Sequence, residues 1–105
     1  GATIVFYPSS GKPSELTDYK NGHKNGRWIK YFPNGKVSTS GTYVNDTLQG
    51  AFRVYDITGK LLVQGQYKNA FQEGVWMTFD TLGNLEEKQT FHNGIPVKKW
   101  KSKAT

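Results

Sequence analysis

The sequence predicts an all-β fold, in which consecutive β-hairpins form an elongated, single-layer antiparallel meander. Three observations support this prediction: a 24-residue repeat, a glycine-containing turn at the same place in each unit, and alternation of apolar and polar residues beside that turn. A fixed period of this length indicates one supersecondary unit stacked on copies of itself. The aromatic, asparagine and glycine positions stay in register from end to end, so we predict a single domain.

The repeat is defined by columns of residues that lie 24 positions apart. Three columns are aromatic: Tyr19, Tyr43, Tyr67 and Phe91; Trp28, Phe52, Trp76 and Trp100; and Tyr31, Tyr55 and Phe79. Two others have one residue type each: Asn21, Asn45, Asn69 and Asn93; and Gly26, Gly50 and Gly74. The domain 1–105 is therefore divided into a partial repeat (1–18), three repeats (19–42, 43–66 and 67–90) and a second partial repeat (91–105).

The first complete hairpin is predicted from two β-compatible runs, 27–32 and 36–44, on either side of Pro33-Asn34-Gly35. Proline presets φ for a type I turn, asparagine tolerates the next position, and glycine supplies the positive φ of a bulge that matches strand twist. Later copies at 56–59 and 80–83 begin with aspartate and keep the final glycine, and 8–11 is a looser copy.

The strand after this turn alternates, with Val37, Thr39, Gly41 and Tyr43 on one side. Such alternation is typical of a half-buried strand. Gly41 and its counterpart Gly65 fall on the apolar side, where the missing side chain leaves room for a ring of the tryptophan column.

The preceding strand is aromatic on both sides, because Trp28 and Tyr31 are three residues apart. Either a bulge realigns these two rings, or the sheet presents aromatic rows on both surfaces. Two strands per 24 residues gives about eight or nine strands in total. Residues 98–103 form either a last partial strand or a loose tail.

Charge is distributed unevenly along the chain, whose net charge is +6. Residues 1–36 contain six bases and two acids, 37–87 three bases and six acids, and 88–105 five bases and no acid. Basic residues at sheet ends discourage edge-to-edge pairing, and they also attract anionic surfaces. The chain has no cysteine, and it begins with Gly1 rather than Met. A removed leader would explain that start, which favours an extracytoplasmic location.

Catalysis is not expected from this sequence. The two histidines, His23 and His92, occupy different repeat positions, and no spacing of His, Asp and Glu suggests a metal site. The glycines lack the Lys-Ser/Thr ending of a nucleotide-binding loop. We therefore predict a protein that is not an enzyme and that carries no cofactor.

The motifs Tyr-Lys-Asn-Gly at 19–22, Gly-Arg-Trp at 26–28, Tyr-Phe-Pro-Asn-Gly-Lys at 31–36 and Gly-Thr-Tyr at 41–43 resemble the MORN repeat. They are most similar to its bacterial variant, which occurs in antitoxin-like and secreted repeat proteins. The resemblance covers nearly the whole chain. It implies a curved single-layer sheet that acts as an interaction scaffold, as a dimerisation surface or, in eukaryotic members, near phospholipid membranes.

Two binding surfaces follow as hypotheses. The first is a protein-binding aromatic face or an open edge strand, and its candidate residues are Trp28, Tyr31, Phe52, Tyr55, Trp76 and Phe79. The second is a site for anionic lipid or polymer at the basic end, with candidates Lys98, Lys99, Lys101 and Lys103. A nucleic-acid partner is not expected, because the basic residues of the chain are not interleaved with its central aromatic rings. The two free edges of an open meander also allow self-association.

Overall fold

The computed structural model describes residues 1–103, and this part of the chain forms ten antiparallel strands in one open sheet. The strands are β1 (Ala2–Phe6), β2 (Pro13–Lys20), β3 (His23–Tyr31), β4 (Val37–Val44), β5 (Thr47–Leu48), β6 (Gly50–Tyr55), β7 (Leu61–Lys68), β8 (Phe71–Phe79), β9 (Leu85–His92) and β10 (Ile95–Lys101). Their order in the sheet is their order in the chain, with β5 paired to β4. The Cα envelope measures 43 × 30 × 13 Å, which confirms the predicted elongated single layer.

The predicted count of eight or nine strands was too low, because the strand that follows β4 is broken in two. Gln49 separates β5 from β6, and Gly50 has a φ of 80°. At the other end, β10 pairs with β9 from Ile95 to Lys101, so most of the basic segment is a strand. Within residues 1–103 there is no helix long and apolar enough to cross a membrane.

The turns within the predicted hairpins have the expected geometry. The Gly35 amide donates to the Phe32 carbonyl at 2.9 Å, the Phe32 amide donates to the Lys36 carbonyl at 2.8 Å, and Gly35 has a φ of 91°. This is a type I turn closed by a glycine bulge. The hairpins closed by Gly59 and Gly83 repeat the same hydrogen bonds, with the side chain of Asp56 or Asp80 accepting from the turn backbone.

The turns at the opposite rim of the sheet are two-residue turns with positive φ at both central positions, which is the type I′ geometry. The four copies are Asn21-Gly22, Asn45-Asp46, Asn69-Ala70 and Asn93-Gly94. Asp46 and Ala70 adopt φ of 67° and 71° although they have side chains. The turn type is therefore set by the neighbouring strands, and Ala70 is held in a region that L-residues avoid.

A ladder of hydrogen bonds joins the last three of these turns to the unit before each of them. The amides of Asp46, Ala70 and Gly94 donate to the carbonyls of Lys24, Leu48 and Gln72. The amides of the turn asparagines donate to side chains of one column, in the pairs Asn45–Asn25, Asn69–Gln49 and Asn93–Glu73. Each unit is thus fastened to its nearest neighbours along the rim.

The core lies on one surface of the sheet, which we name the ring face. Its six rings are Trp28, Tyr43, Phe52, Tyr67, Trp76 and Phe91, and the centroids of the rings that contact one another lie 5.2 to 6.5 Å apart. Trp76 is only 7% exposed. The opposite surface is named the open face.

Candidate functional site on the open face

The six predicted partner-binding residues lie in two rows on opposite faces of the sheet. The extra residue that shifts the register between Lys30 and Tyr31 lies on the partner strand β4. Alternation along β3 is therefore preserved, which places Trp28 on the ring face and Tyr31 on the open face. The same shift between Val54 and Tyr55 and between Thr78 and Phe79 repeats this arrangement. Of the two alternatives left by the sequence, aromatic rows on both surfaces is correct.

The ring-face row is packed against small residues, as predicted. Gly41 lies against the rings of Trp28 and Phe52, and a Cβ at Gly65 would lie inside the Trp76 indole. The Trp28 Nε1 donates to Glu15 Oε2 at 2.7 Å, and the Trp76 Nε1 donates to the Gln66 carbonyl at 3.1 Å. Both indoles are therefore fixed by packing and by hydrogen bonds.

The open-face row is half-buried at Tyr31, Tyr55 and Phe79. These residues pair across the strands with Val37, Leu61 and Leu85. Tyr55 lines a shallow groove together with Val37 and Ser40. The row therefore contributes apolar surface to the open face, near the glycine-closed turns.

The four predicted anion-binding lysines do not form one cluster. Lys98 and Trp100 lie on the open face, whereas alternation along β10 places Lys99 and Lys101 on the ring face. Lys99 Nζ is 2.9 Å from Glu87 Oε1, and this contact lowers the pKa of the Glu87 carboxyl. Lys103 follows the end of β10 and is exposed.

Trp100 is the main feature that the repeat columns did not reveal. Trp28 pairs with Thr17, and the 24-residue repeat therefore predicts that Trp100 pairs with Gln89. In the structure Trp100 pairs with Lys88 instead, and Lys99 pairs with Gln89. This displacement of one residue moves the indole to the open face, where it is 46% exposed. Two substitutions signal it in the sequence. Lys98 occupies the column of Gly26, Gly50 and Gly74, and Gln89 occupies that of Gly41 and Gly65.

Both substitutions replace a glycine that has a structural role in the earlier units. The column glycines have positive φ, from 72° to 121°, and Gly26 and Gly74 lie within an irregularity in which three residues of one strand oppose a single residue of the other. At β10 the irregularity contains only Val97. In the earlier units, the glycine at the column of Gln89 leaves room for a neighbouring aromatic ring. Gln89 places a side chain there, and its Nε2 donates to the Lys98 carbonyl at 2.8 Å.

Two adjoining grooves cross the open face between β6 and β10, and together we call them the trough. The first has a volume of about 230 Å³ and is lined by Ala51, Arg53, Gln64, Gly65, Gln66 and Val75. The second, of about 260 Å³, is lined by Val75, Lys88, Thr90, Lys98 and Trp100. Val75 belongs to both grooves, so the two form one continuous depression.

The trough is electropositive. Three of its lining residues, Arg53, Lys88 and Lys98, are cationic and none is acidic. Among the ion pairs of residues 1–103, none involves these three side chains. Lys88 Nζ lies 5.5 Å from the centroid of the Trp100 ring, which is within the range of a cation–π interaction.

Both histidines lie at the type I′ rim, away from the trough. His23 Nδ1 is 2.6 Å from Asp46 Oδ2, and His92 Nδ1 is 3.3 Å from Glu73 Oε2. The hydrogen bond with His23, followed by that from the Lys24 amide, lowers the pKa of Asp46. The Asn93 amide, followed by His92, lowers the pKa of Glu73. In residues 1–103 no group of three or more His, Cys, Asp or Glu side chains could hold a metal ion.

A thin open sheet of hairpins that repeats an aromatic and glycine pattern every 24 residues defines a β-hairpin repeat protein. The chain belongs to the MORN repeat variant family, whose sequence model matches residues 24–45, 48–69 and 72–93. Each matched stretch contains one hairpin with a glycine-closed turn and the ring-face aromatics on either side of it. Repeats of this family are in general modules for interaction with proteins or membranes. A comparison with curated proteins found no significant match.

Proposed function

We propose that this chain is a non-catalytic scaffold that binds a protein partner on the open face of its sheet. One observation carries the proposal: the aromatic side chains of the ring face are packed against one another, whereas the open face has an exposed aromatic side chain. The ring face uses its six rings to pack against one another. The open face keeps Trp100 and Val75 exposed, each at 46%, beside unpaired cations. Exposed aromatic and basic residues together are typical of protein-binding surfaces.

The non-catalytic part of the proposal is supported by the placement of the titratable groups. Asp46 Oδ1 accepts from the Lys24 amide, and Glu73 Oε1 accepts from the Asn93 amide. The two carboxylates that contact histidines therefore also accept from backbone amides, and both pairs lie at an exposed rim rather than in a cleft. Catalytic acid–base pairs normally lie in a concave site that excludes water.

Site-specific photo-cross-linking in the source cell tests this function. A photoreactive residue is placed at Gln64 on the open face or, as a matched control, at Thr39, which is on the ring face and equally half-buried. We expect a discrete protein adduct from position 64 and several-fold less from position 39. Equal adducts from both positions, or adducts with lipid alone from position 64, would contradict an open-face protein scaffold.

A further inference from the structure

We propose that the trough binds an acidic segment of the protein partner, in an extended conformation that crosses the strands. This inference rests on the scaffold function proposed above and specifies the chemistry of its partner. It is argued from the charge of the trough, from its apolar surface and from the spacing of its side chains.

The charge of the trough is not balanced by acidic side chains within residues 1–103. The carboxylates of β8 and β9 are Glu73, Glu86 and Glu87, and Glu87 contacts Lys99 on the ring face. Glu73 is held by the Asn93 amide and contacts His92, and Glu86 lines a different groove together with Lys101. Arg53, Lys88 and Lys98 are therefore available to carboxylates of another molecule. Hydrogen bonds between such cations and carboxylates are among the strongest in protein interfaces.

The apolar part of the trough lies between and beside these cations. Val75 is shared by the two grooves. Met77 does not line either groove, but it pairs with the lining residues Gln64 on one side and Lys88 on the other. Trp100 closes the β10 end. A tryptophan and an arginine within one depression are the residue types that most often anchor a bound protein. The partner segment is therefore expected to alternate acidic with apolar side chains.

The spacing follows from the strand register. Cross-strand pairs form one row in the order Arg53, Gln64, Met77, Lys88 and Trp100. Neighbouring strands lie about 4.8 Å apart, so Arg53 and Lys88, three intervals apart, are separated by about 14 Å. An extended chain covers roughly 3.3–3.6 Å per residue, so about four residues bridge that distance. Two acids four residues apart match Arg53 and Lys88, and an apolar side chain midway between them would lie about 7 Å from Arg53, between Gln64 and Met77.

The test uses a synthetic peptide with two glutamates four residues apart and a leucine midway, and a control peptide with glutamine in place of both glutamates. Binding to the full chain is measured by calorimetry, and the bound surface is located from amide chemical shifts. We expect shifts at Val75, Lys88 and Thr90, and affinity at least tenfold higher for the acidic peptide. The double variant Arg53→Gln/Lys88→Gln should weaken binding roughly tenfold, because it removes both exposed charge pairs with the two glutamates.

The matched control variant is Lys99→Gln/Lys101→Gln, which removes the same charge from the ring-face side of β10. We expect it to bind the acidic peptide within about twofold of the unaltered chain, since a screened long-range effect is small. An equal loss in both double variants, equal binding of the glutamine peptide, or binding of phosphatidylserine vesicles without binding of the peptide would each overturn the proposal. If the peptide fails while position 64 still cross-links to a protein, the acidic partner is wrong and the scaffold stands. If the cross-link also fails, the proposed function is wrong too.

Discussion

The middle units and the last hairpin contain the same aromatic column and place it on opposite faces. In the middle units, Phe52 and Trp76 lie against glycine on the ring face. Each of these two rings also follows, by two residues, a glycine with positive φ. In the last hairpin, Gln89 and Lys98 occupy those two glycine columns, and Trp100 lies on the open face. Where a repeated aromatic residue points is therefore decided by the two small residues near it, not by the ring itself.

The largest expected difference between the two regions is in stability. Trp76→Ala removes a buried ring that contacts Phe52, Tyr67 and Phe91, and we expect a loss of about 3–5 kcal/mol in the free energy of unfolding. Trp100→Ala, at the same column on the open face, should cost about 1 kcal/mol or less. Chemical denaturation followed by far-UV circular dichroism measures both. Equal losses would show that the last ring belongs to the core.

The second prediction converts the last hairpin into a middle unit. In the variant Gln89→Gly/Lys98→Gly we expect β10 to move by one residue, so that Trp100 pairs with position 89 on the ring face. Burying the ring stabilises by roughly 1.5–3 kcal/mol, and each new glycine opposes this by about 0.5–1 kcal/mol, which leaves a net gain near 1 kcal/mol. Nuclear Overhauser contacts between the Trp100 and Trp76 indoles would report the change.

Lys98→Ala provides the control for this register change. It removes the same lysine but introduces a residue that avoids positive φ, so the parent register should persist and Trp100 should stay beside Lys88. If this alanine variant also moved Trp100 to the ring face, backbone freedom at position 98 would not be the cause of the shift.

Much of this arrangement could be predicted from the sequence, and what was missed has local physical causes. Glycine at Gly35, Gly59 and Gly83 predicted the turns because few other residues adopt their φ. The sequence did not decide on which face of the sheet Tyr31 lies. The answer depends on a bulge in the partner strand β4, which no residue of β3 specifies. The position of Trp100 was missed because columns of equal residues suggest equal geometry. The departures at Gln89 and Lys98 were visible, but their effect depends on strand pairing.

The smallest expected effect concerns the turns, where the units also differ. Ala70→Gly should stabilise the fold by about 0.5–1 kcal/mol, because alanine is strained at a φ of 71°. Gly22 is the reciprocal control, since its φ is 80° and a Cβ there would meet no atom within 4 Å. Gly22→Ala should therefore destabilise by about 1 kcal/mol through backbone strain alone. Thermal unfolding of both variants measures the pair, and changes of the same sign would refute the explanation from φ.

The ladder of hydrogen bonds along the type I′ rim keeps successive units at a fixed spacing, so the length of the molecule follows from its number of units. The last three turns are each hydrogen-bonded to the unit before them, and each 24-residue unit contributes two strands to the sheet. One unit therefore advances the surface by about 9–10 Å along the long axis of the sheet. Gaining or losing a whole unit would change the distance between the first strand and the trough in steps of that size, and it would leave the local geometry at both ends intact. The length of the sheet is thus set by the number of repeats, while the surface at its β10 end is set by the few residues that depart from them.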